Sequence, residues 1–139
     1  MIILDTNVVS EFMRSDPEQV VVRWLDLQPA NSVWTSAITI YEIALGLNRL
    51  AQGTRRHTLE RQFHDMLAFD LGGRVLPFNT EAALASGAIG AALQAIGKTV
   101  DVRDVMIAGI SRSRQATVAT RNVADFENAC EVINPWEGA

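Results

Sequence analysis

The sequence predicts an α/β fold: a three-layer sandwich with a central parallel sheet and helices on both faces. Five short apolar runs alternate with longer stretches of helical periodicity. Strand, crossover helix, strand in strict succession requires parallel pairing with right-handed connections. The chain has 139 residues, 48% of them hydrophobic, which suits a single core. No break in composition divides it, so residues 1–139 read as one domain.

The first strand is "MIIL" (1–4), a continuous apolar run, as expected of a strand buried on both faces. Helical stretches follow at 7–13 and 18–27. The β-branched and aromatic "SVWTS" (32–36) is the second strand. Further helices are read at 39–51 and 55–69, with "AQGTRRHT" (51–58) forming a basic elbow between them. "FDLGGRV" (69–75) is a glycine-marked loop leading into the third strand, "RVLPF" (74–78). Two helices, 81–97 and 104–114, precede "ATVAT" (116–120), and "EVIN" (131–134) closes the sheet. Gly87, Gly90 and Gly97 form no phosphate-binding fingerprint and are expected to permit close helix packing. Trp24 and Trp34 are expected in the core, with Trp136 pinning the C-terminus.

The totals exclude several classes. The single Cys130 rules out an internal disulfide and points to a reducing cytoplasm. No basic region precedes the opening apolar run, so no signal peptide is expected. "AALASGAIGAALQAIG" (82–97) is too short and too weakly apolar to span a membrane. A net charge of −4 argues against indiscriminate nucleic-acid binding, although clustered carboxylates would make a nuclease acidic too. Lys98 is the only lysine. Arginine fits bidentate phosphate recognition, and a GC-rich genome would produce the same bias.

The acids fall in a pattern. Asp5 follows the first strand, Glu42 lies just inside the helix after the second, and Asp104 lies at a helix start. Asn122 and Asp125 follow the fourth strand. Parallel sheets bind ligands beyond the carboxyl ends of their strands, which is where these residues converge. Each also has a structural explanation. Thr39-Ile-Tyr-Glu42 matches a capping box, Asp5 and Asp104 suit helix starts, and Asn122 would cap a short helix containing Asp125. Separate caps do not explain the convergence. Two carboxylates about 4 Å apart repel by roughly 4 kcal/mol at an effective dielectric near 20. Such a cluster takes up protons or holds a cation. All-oxygen donors suit Mg²⁺ or Mn²⁺, which leads to phosphodiester hydrolysis through an activated water.

"LDTNVVSE", "SAITIYEIALG", "DVMIAG" and "TRNVADF", in that order, resemble a PIN domain. The closing "NPW" (134–136) resembles the VapC-type toxins, in the branch of the Fit plasmid-stability toxins. The resemblance implies a metal-dependent endoribonuclease, the toxin of a type II toxin–antitoxin pair, and a homodimer. Asp5, Glu42 and Asp104 would then bind the metal. Thr6 and Asn7 would shape the loop around Asp5, and Thr120 would orient groups at the end of the fourth strand. A cognate antitoxin would insert an arginine among the carboxylates. Many relatives have Asp directly after the "TR", whereas this chain has Asn122, with Asp125 three residues on. That departure favours one firm metal and a weak second.

Asp101 is a further candidate, with a solvent-facing role as its alternative. Arg121, beside the acids, is the better phosphate contact. Arg55, Arg56 and Arg61 suit RNA phosphates or mere solubility, and Arg112 and Arg114 suit a helix end. His57 and His64, about two turns apart on one helix, are too far apart to share an ion. The substrate would be RNA (tRNA, rRNA or mRNA), cut to 5′-phosphate and 3′-hydroxyl ends. Two alternatives keep the fold: a catalytically weak module that binds RNA or a partner protein, and a DNA-directed PIN nuclease. A receiver-like phosphoacceptor is excluded, because the third strand ends "LPFN" and the only lysine is Lys98.

Overall fold

A computed structural model describes residues 1–138, and the predicted strands are all present. β1 (Ile2–Leu4), β2 (Val33–Ser36), β3 (Val75–Leu76), β4 (Thr117–Ala119) and β5 (Glu131–Ile133) form one sheet in the order β3-β2-β1-β4-β5. Every neighbouring pair is parallel. The helices are α1 (Thr6–Phe12), α2 (Gln19–Asp26), α3 (Ala37–Arg49), α4 (Thr54–Asp65), α5 (Thr80–Ala95), α6 (Val102–Ser113) and α7 (Val123–Phe126).

Side-chain alternation along the strands produces the three layers. Leu4, Val33 and Ala119 point to one face and pack with Val8, Trp24, Ile43 and Phe63. Ile3 and Val118 point to the other, which α5 and α6 cover with Ala82, Ile89, Ile107 and Ile110. Trp24 is buried as expected, and Trp34 and Trp136 are partly buried against the cores.

The topology fixes where a ligand would bind. From β1 the chain moves outward to β2 and β3, then returns to the opposite side of β1 for β4. The switch point therefore lies beyond Leu4 and Ala119. Asp5 stands there, its backbone N–H donating to the Ala119 carbonyl at 2.9 Å.

Three local expectations are corrected. The cap of α3 is Ser36, whose hydroxyl accepts from the Thr39 N–H at 3.2 Å, so Glu42 lies in the second turn and cannot close a capping box with Thr39. The basic elbow is largely helix: α4 starts at Thr54, and Arg56 bonds Glu60 at 2.8 Å and the Asn48 side chain at 3.0 Å. α4 runs into a π-helical turn, Met66–Asp70, before the glycine loop.

Close packing of α5 on α6 occurs at Gly109, which no sequence pattern had marked. A Cβ there would collide with the Ser86 hydroxyl and stand 2.6 Å from the Ala82 carbonyl. Gly87 and Gly97 have nothing within 4 Å of such a Cβ, and Gly90 meets only Val105 at 3.8 Å. Gly97 instead ends α5 at φ +76°, with the Lys98 N–H bonded to the Leu93 carbonyl at 3.0 Å. Among the described residues no helix is long and apolar enough to cross a membrane.

Candidate active site

Asp5 is 4% exposed and is both a helix cap and the hub of a hydrogen-bonded knot. Its Oδ1 accepts from the Thr6 N–H at 2.7 Å. Its Oδ2 accepts from the Thr120 hydroxyl at 2.8 Å and from Asn7 Nδ2 at 3.3 Å. Asn7 Nδ2 also donates to Thr120 at 3.2 Å, and Asn7 Oδ1 accepts from the Arg121 N–H at 3.2 Å. Thr120 in turn accepts from the Asn122 N–H at 3.0 Å. "DTN" and "TRN" thus interlock across the ends of β1 and β4. Burial still pushes the Asp5 carboxyl above its ordinary value, against the bonds from Thr120 and Thr6, and Asp125 pushes it the same way.

The other acids stand around this knot. Asp104, in the first turn of α6, is pushed up to about 7, first by burial and then by Asp5, Asp101, Asp125 and Glu42. Burial also raises Glu42. The Thr6 hydroxyl and Arg103 oppose that shift, and Asp5 and Asp101 reinforce it. Asp101 behaves in the opposite way. It caps α6, accepting from the Arg103 N–H at 2.8 Å, and the Arg103 guanidinium at 2.9 Å holds it below its ordinary value. Asp125 is exposed in α7. Asn122 occupies the cap position of α7, but its exposed side chain makes no cap bond.

Two clefts flank the acids. Asp101, Asp104 and Asp125, with Lys98 and Asn128, line a recess of about 270 Å³. Thr6 and Glu42 line a groove of about 660 Å³ between α1, α3 and α4, floored by Ile43, Leu47 and Leu59 and edged by Arg14 and Arg55. The larger groove is the more apolar, and three of the aspartates face the smaller one.

The donor set of Asp5, Glu42, Asp104 and Asp125 is all oxygen, which fits a hard divalent cation and not zinc. Among the described residues, no three His, Cys, Asp or Glu side chains stand close enough to hold an ion by themselves. An ion held here would have to draw part of its coordination from water, as Mg²⁺ commonly does. His57 and His64 are exposed on α4, away from the acids.

The sequence profile of the PIN domain family matches residues 2–132. The chain belongs to the PIN domain family. It is 36% identical to the VapC ribonuclease Y4jK of Sinorhizobium fredii over 140 residues, covering 100% of both chains. It is 36% identical to Toxin FitB of Neisseria gonorrhoeae, covering 98% of this chain and 99% of that one. The crystal structure of FitAcB from Neisseria gonorrhoeae aligns with a TM-score of 0.89 at 36% identity, covering 98% of this chain and 99% of that chain. A third relative, the tRNA(fMet)-specific endonuclease VapC of Salmonella typhimurium, is 31% identical and covers 96% of each chain. The resemblance read from the four sequence motifs is thus established, and with it the five-stranded parallel PIN fold.

Three further residues stand beside the candidate residues, and the sequence alone does not place them there. Arg103 ion-pairs Asp101 and lies 3.8 Å from Glu42. Its position between two aspartates in "DVRDV" was the available signal. Lys98 lines the acidic recess, which no local pattern announces. Trp136 lies under the Arg121 guanidinium, 5.0 Å from ring centroid to Cζ, and only the pairing of β4 with β5 brings those two together.

Proposed function

We propose that this PIN protein is an Mg²⁺- or Mn²⁺-dependent endoribonuclease, the toxin partner of a cognate antitoxin. The observation that carries this reading is the convergence of Asp5, Glu42 and Asp104 at the carboxyl edge of the sheet, where burial and neighbouring acids raise all three carboxyls, Asp104 to about 7. A cluster left so short of counter-charge is suited to an added cation.

Asp5, Asp104 and Glu42 are the residues that would hold the ion, with Asp125 supplying further charge and Asn122 a neutral oxygen. When bound, such an ion acidifies a water and neutralises charge on a scissile phosphate. The chain's own residues do the rest. Thr120, Asn7 and the Thr6 N–H fix both oxygens of Asp5. Asp104, raised to about 7, would have to be deprotonated to serve as a ligand, so metal binding would be coupled to proton release near neutral pH. Arg121 contacts a neighbouring phosphate.

Support for RNA as substrate comes from the relatives named VapC ribonuclease and tRNA(fMet)-specific endonuclease. An antitoxin partner is supported by the relative named Toxin FitB, which is 36% identical and covers 98% of this chain. The apolar groove beside Thr6 and Glu42 suits a protein segment. The reading includes a homodimer acting in the cytoplasm.

The test is cleavage of a mixed tRNA pool by the purified protein and by Asp5→Asn, in Mg²⁺, Mn²⁺ and EDTA, with circular dichroism as the folding control. Metal-dependent cutting lost in the folded mutant supports the enzyme. A second reading, a binding module that does not cut, draws on the uncharged Asn122 and on the absence of any three described acids at ion-holding spacing. RNA retention without cleavage in any metal would establish it, and a single-stranded DNA arm tests the DNA-directed alternative.

A further inference from the structure

Two arginines belong to the segments that carry the acids, and their circumstances differ. Arg103 is occupied: its guanidinium bonds Asp101 at 2.9 Å and 3.2 Å and lies 3.8 Å from Glu42. Arg121 is exposed, and among the described residues it ion-pairs with no carboxylate. It lies instead over the Trp136 ring, 5.0 Å from the centroid.

Resting on the nuclease reading, we infer that Trp136 is a positioning residue, whose indole face holds the Arg121 guanidinium ready for an RNA phosphate next to the one cut.

Both members of the pair are fixed from behind. The Arg121 N–H donates to Asn7 Oδ1 at 3.2 Å, within the knot around Asp5. The Trp136 N–H donates to the Asn134 side chain at 2.9 Å, and Pro135 is buried beside it. The Thr120 N–H bonds the Ile133 carbonyl at 2.9 Å, so the two segments leave the sheet in fixed register. The indole Nε1–H is buried without a hydrogen-bond partner. No hydrogen bond of Nε1 orients the ring, and what it offers Arg121 is its π face.

A planar guanidinium stacks on such a face while its N–H edges stay free for bidentate contact with phosphate. The stacking also answers a local hazard. On the segment that leaves β4 beside the Asp5 knot, an unsupported arginine is free to fold onto a carboxylate and be spent, as Arg103 is on Asp101. Holding it on an aromatic ring keeps its charge available and lowers the ordering cost of binding. An arginine used this way acts on substrate affinity more than on the bond-breaking step.

The experiment is metal-dependent tRNA cleavage by wild type, Arg121→Ala, Trp136→Leu, Trp136→Phe and the Arg121→Ala/Trp136→Leu double variant, with thermal melts throughout. Trp136→Leu is expected to raise KM roughly three- to tenfold with little change in kcat. Trp136→Phe, which removes no hydrogen bond, restores most of that loss. In the Arg121→Ala background Trp136→Leu adds nothing, and Arg121→Ala lowers the salt slope of RNA binding by about 0.7. A loss from Trp136→Leu that persists without Arg121, or that falls on kcat, overturns the inference and leaves a purely structural tryptophan. If Trp136→Leu does not fold, the same cycle run with Trp136→Met, which keeps bulk but has no aromatic face, decides. Normal KM in Arg121→Ala, with wild type active, defeats this inference alone. A wild type that cuts no RNA defeats the nuclease reading and this inference with it.

Discussion

The seam between α5 and α6 and the carboxyl edge of the sheet are built on opposite terms. In the seam, Gly109 lets the helices touch, Ser86 donates to the Val105 carbonyl at 3.2 Å, and Ile107 and Ala108 are fully buried. Every group there has its partner. At the edge, Asp5, Glu42 and Asp104 all sit above their ordinary pKa values, and only the cap Asp101 is stabilised as an anion. The seam stabilises the fold, whereas the edge costs stability and keeps charge in place for something outside the chain. Changes in the seam should therefore act on stability, and changes at the edge on chemistry.

The sharpest test is Asp104→Asn. Cleavage is expected to fall by about 10²–10³, the scale of losing one preorganised group of an active site. Without divalent cation near pH 8 the same variant should be more stable than wild type, by about 1–2 kcal/mol. Nuclease assays and thermal melts on one preparation read both. A variant that is inactive and also less stable would break the comparison, because Asp104 would then be holding the fold together.

Gly109→Ala probes the other region. Its Cβ meets the Ser86 hydroxyl, which can turn, and also the Ser86 Cβ at 2.9 Å and the Ala82 carbonyl at 2.6 Å, which cannot move without α5. We expect a loss of about 1–3 kcal/mol by urea denaturation. The double variant with Ser86→Ala should recover only part of it, and the folded fraction should cleave at the wild-type rate. An unchanged urea midpoint would mean that the helices separate at little cost.

The two regions also differed in how far the sequence revealed them. The strands were legible because runs such as "MIIL" and "ATVAT" are buried on both faces and read as continuous apolar segments. Asp5 was legible as the residue that ends such a run. The start of α3 was not, because "SAIT" offers two capping residues and the end of β2 selects Ser36 over Thr39. Asp101 and Asp104 are equally plausible caps on paper. The extended backbone at Asp101 makes it the cap and leaves Asp104 half-buried among acids. Gly109 was hidden because its need for space comes from Ser86 on another helix. Arg121 and Trp136 meet only through strand pairing, which no local pattern encodes.

The edge also predicts how stability depends on pH. A carboxyl whose pKa is higher folded than unfolded binds more protons in the folded state between the two values. Stability is then full below about pH 4 and lost as pH rises through about 7, the value for Asp104. Asp5 and Glu42 act in the same direction. In EDTA the melting temperature should therefore decline across that window, by an amount equivalent to about 1–2 kcal/mol once solvent screening is allowed for. Mg²⁺ should flatten the decline, since the bound cation replaces the proton. A melting temperature that rises through the window in EDTA would mean that the acids are already neutralised within the fold.

The smallest expected effect comes from Asn122→Asp, which places a carboxylate where many relatives carry one. Asp serves a helix cap as well as Asn does, and the Asn122 side chain makes no cap bond to lose, so stability should move by less than about 0.5 kcal/mol. The added charge stands at the acidic edge but is exposed to solvent, so its pull on a cation is screened. The Mg²⁺ concentration for half-maximal cleavage should then fall only a few-fold, by about 0.5–1 kcal/mol of added affinity. A larger fall would place residue 122 within direct reach of the ion, and Asn122 would then be what weakens metal binding in this chain. No fall at all, with Asp125→Asn raising the requirement, would make Asp125 the acid that supplies the fourth charge.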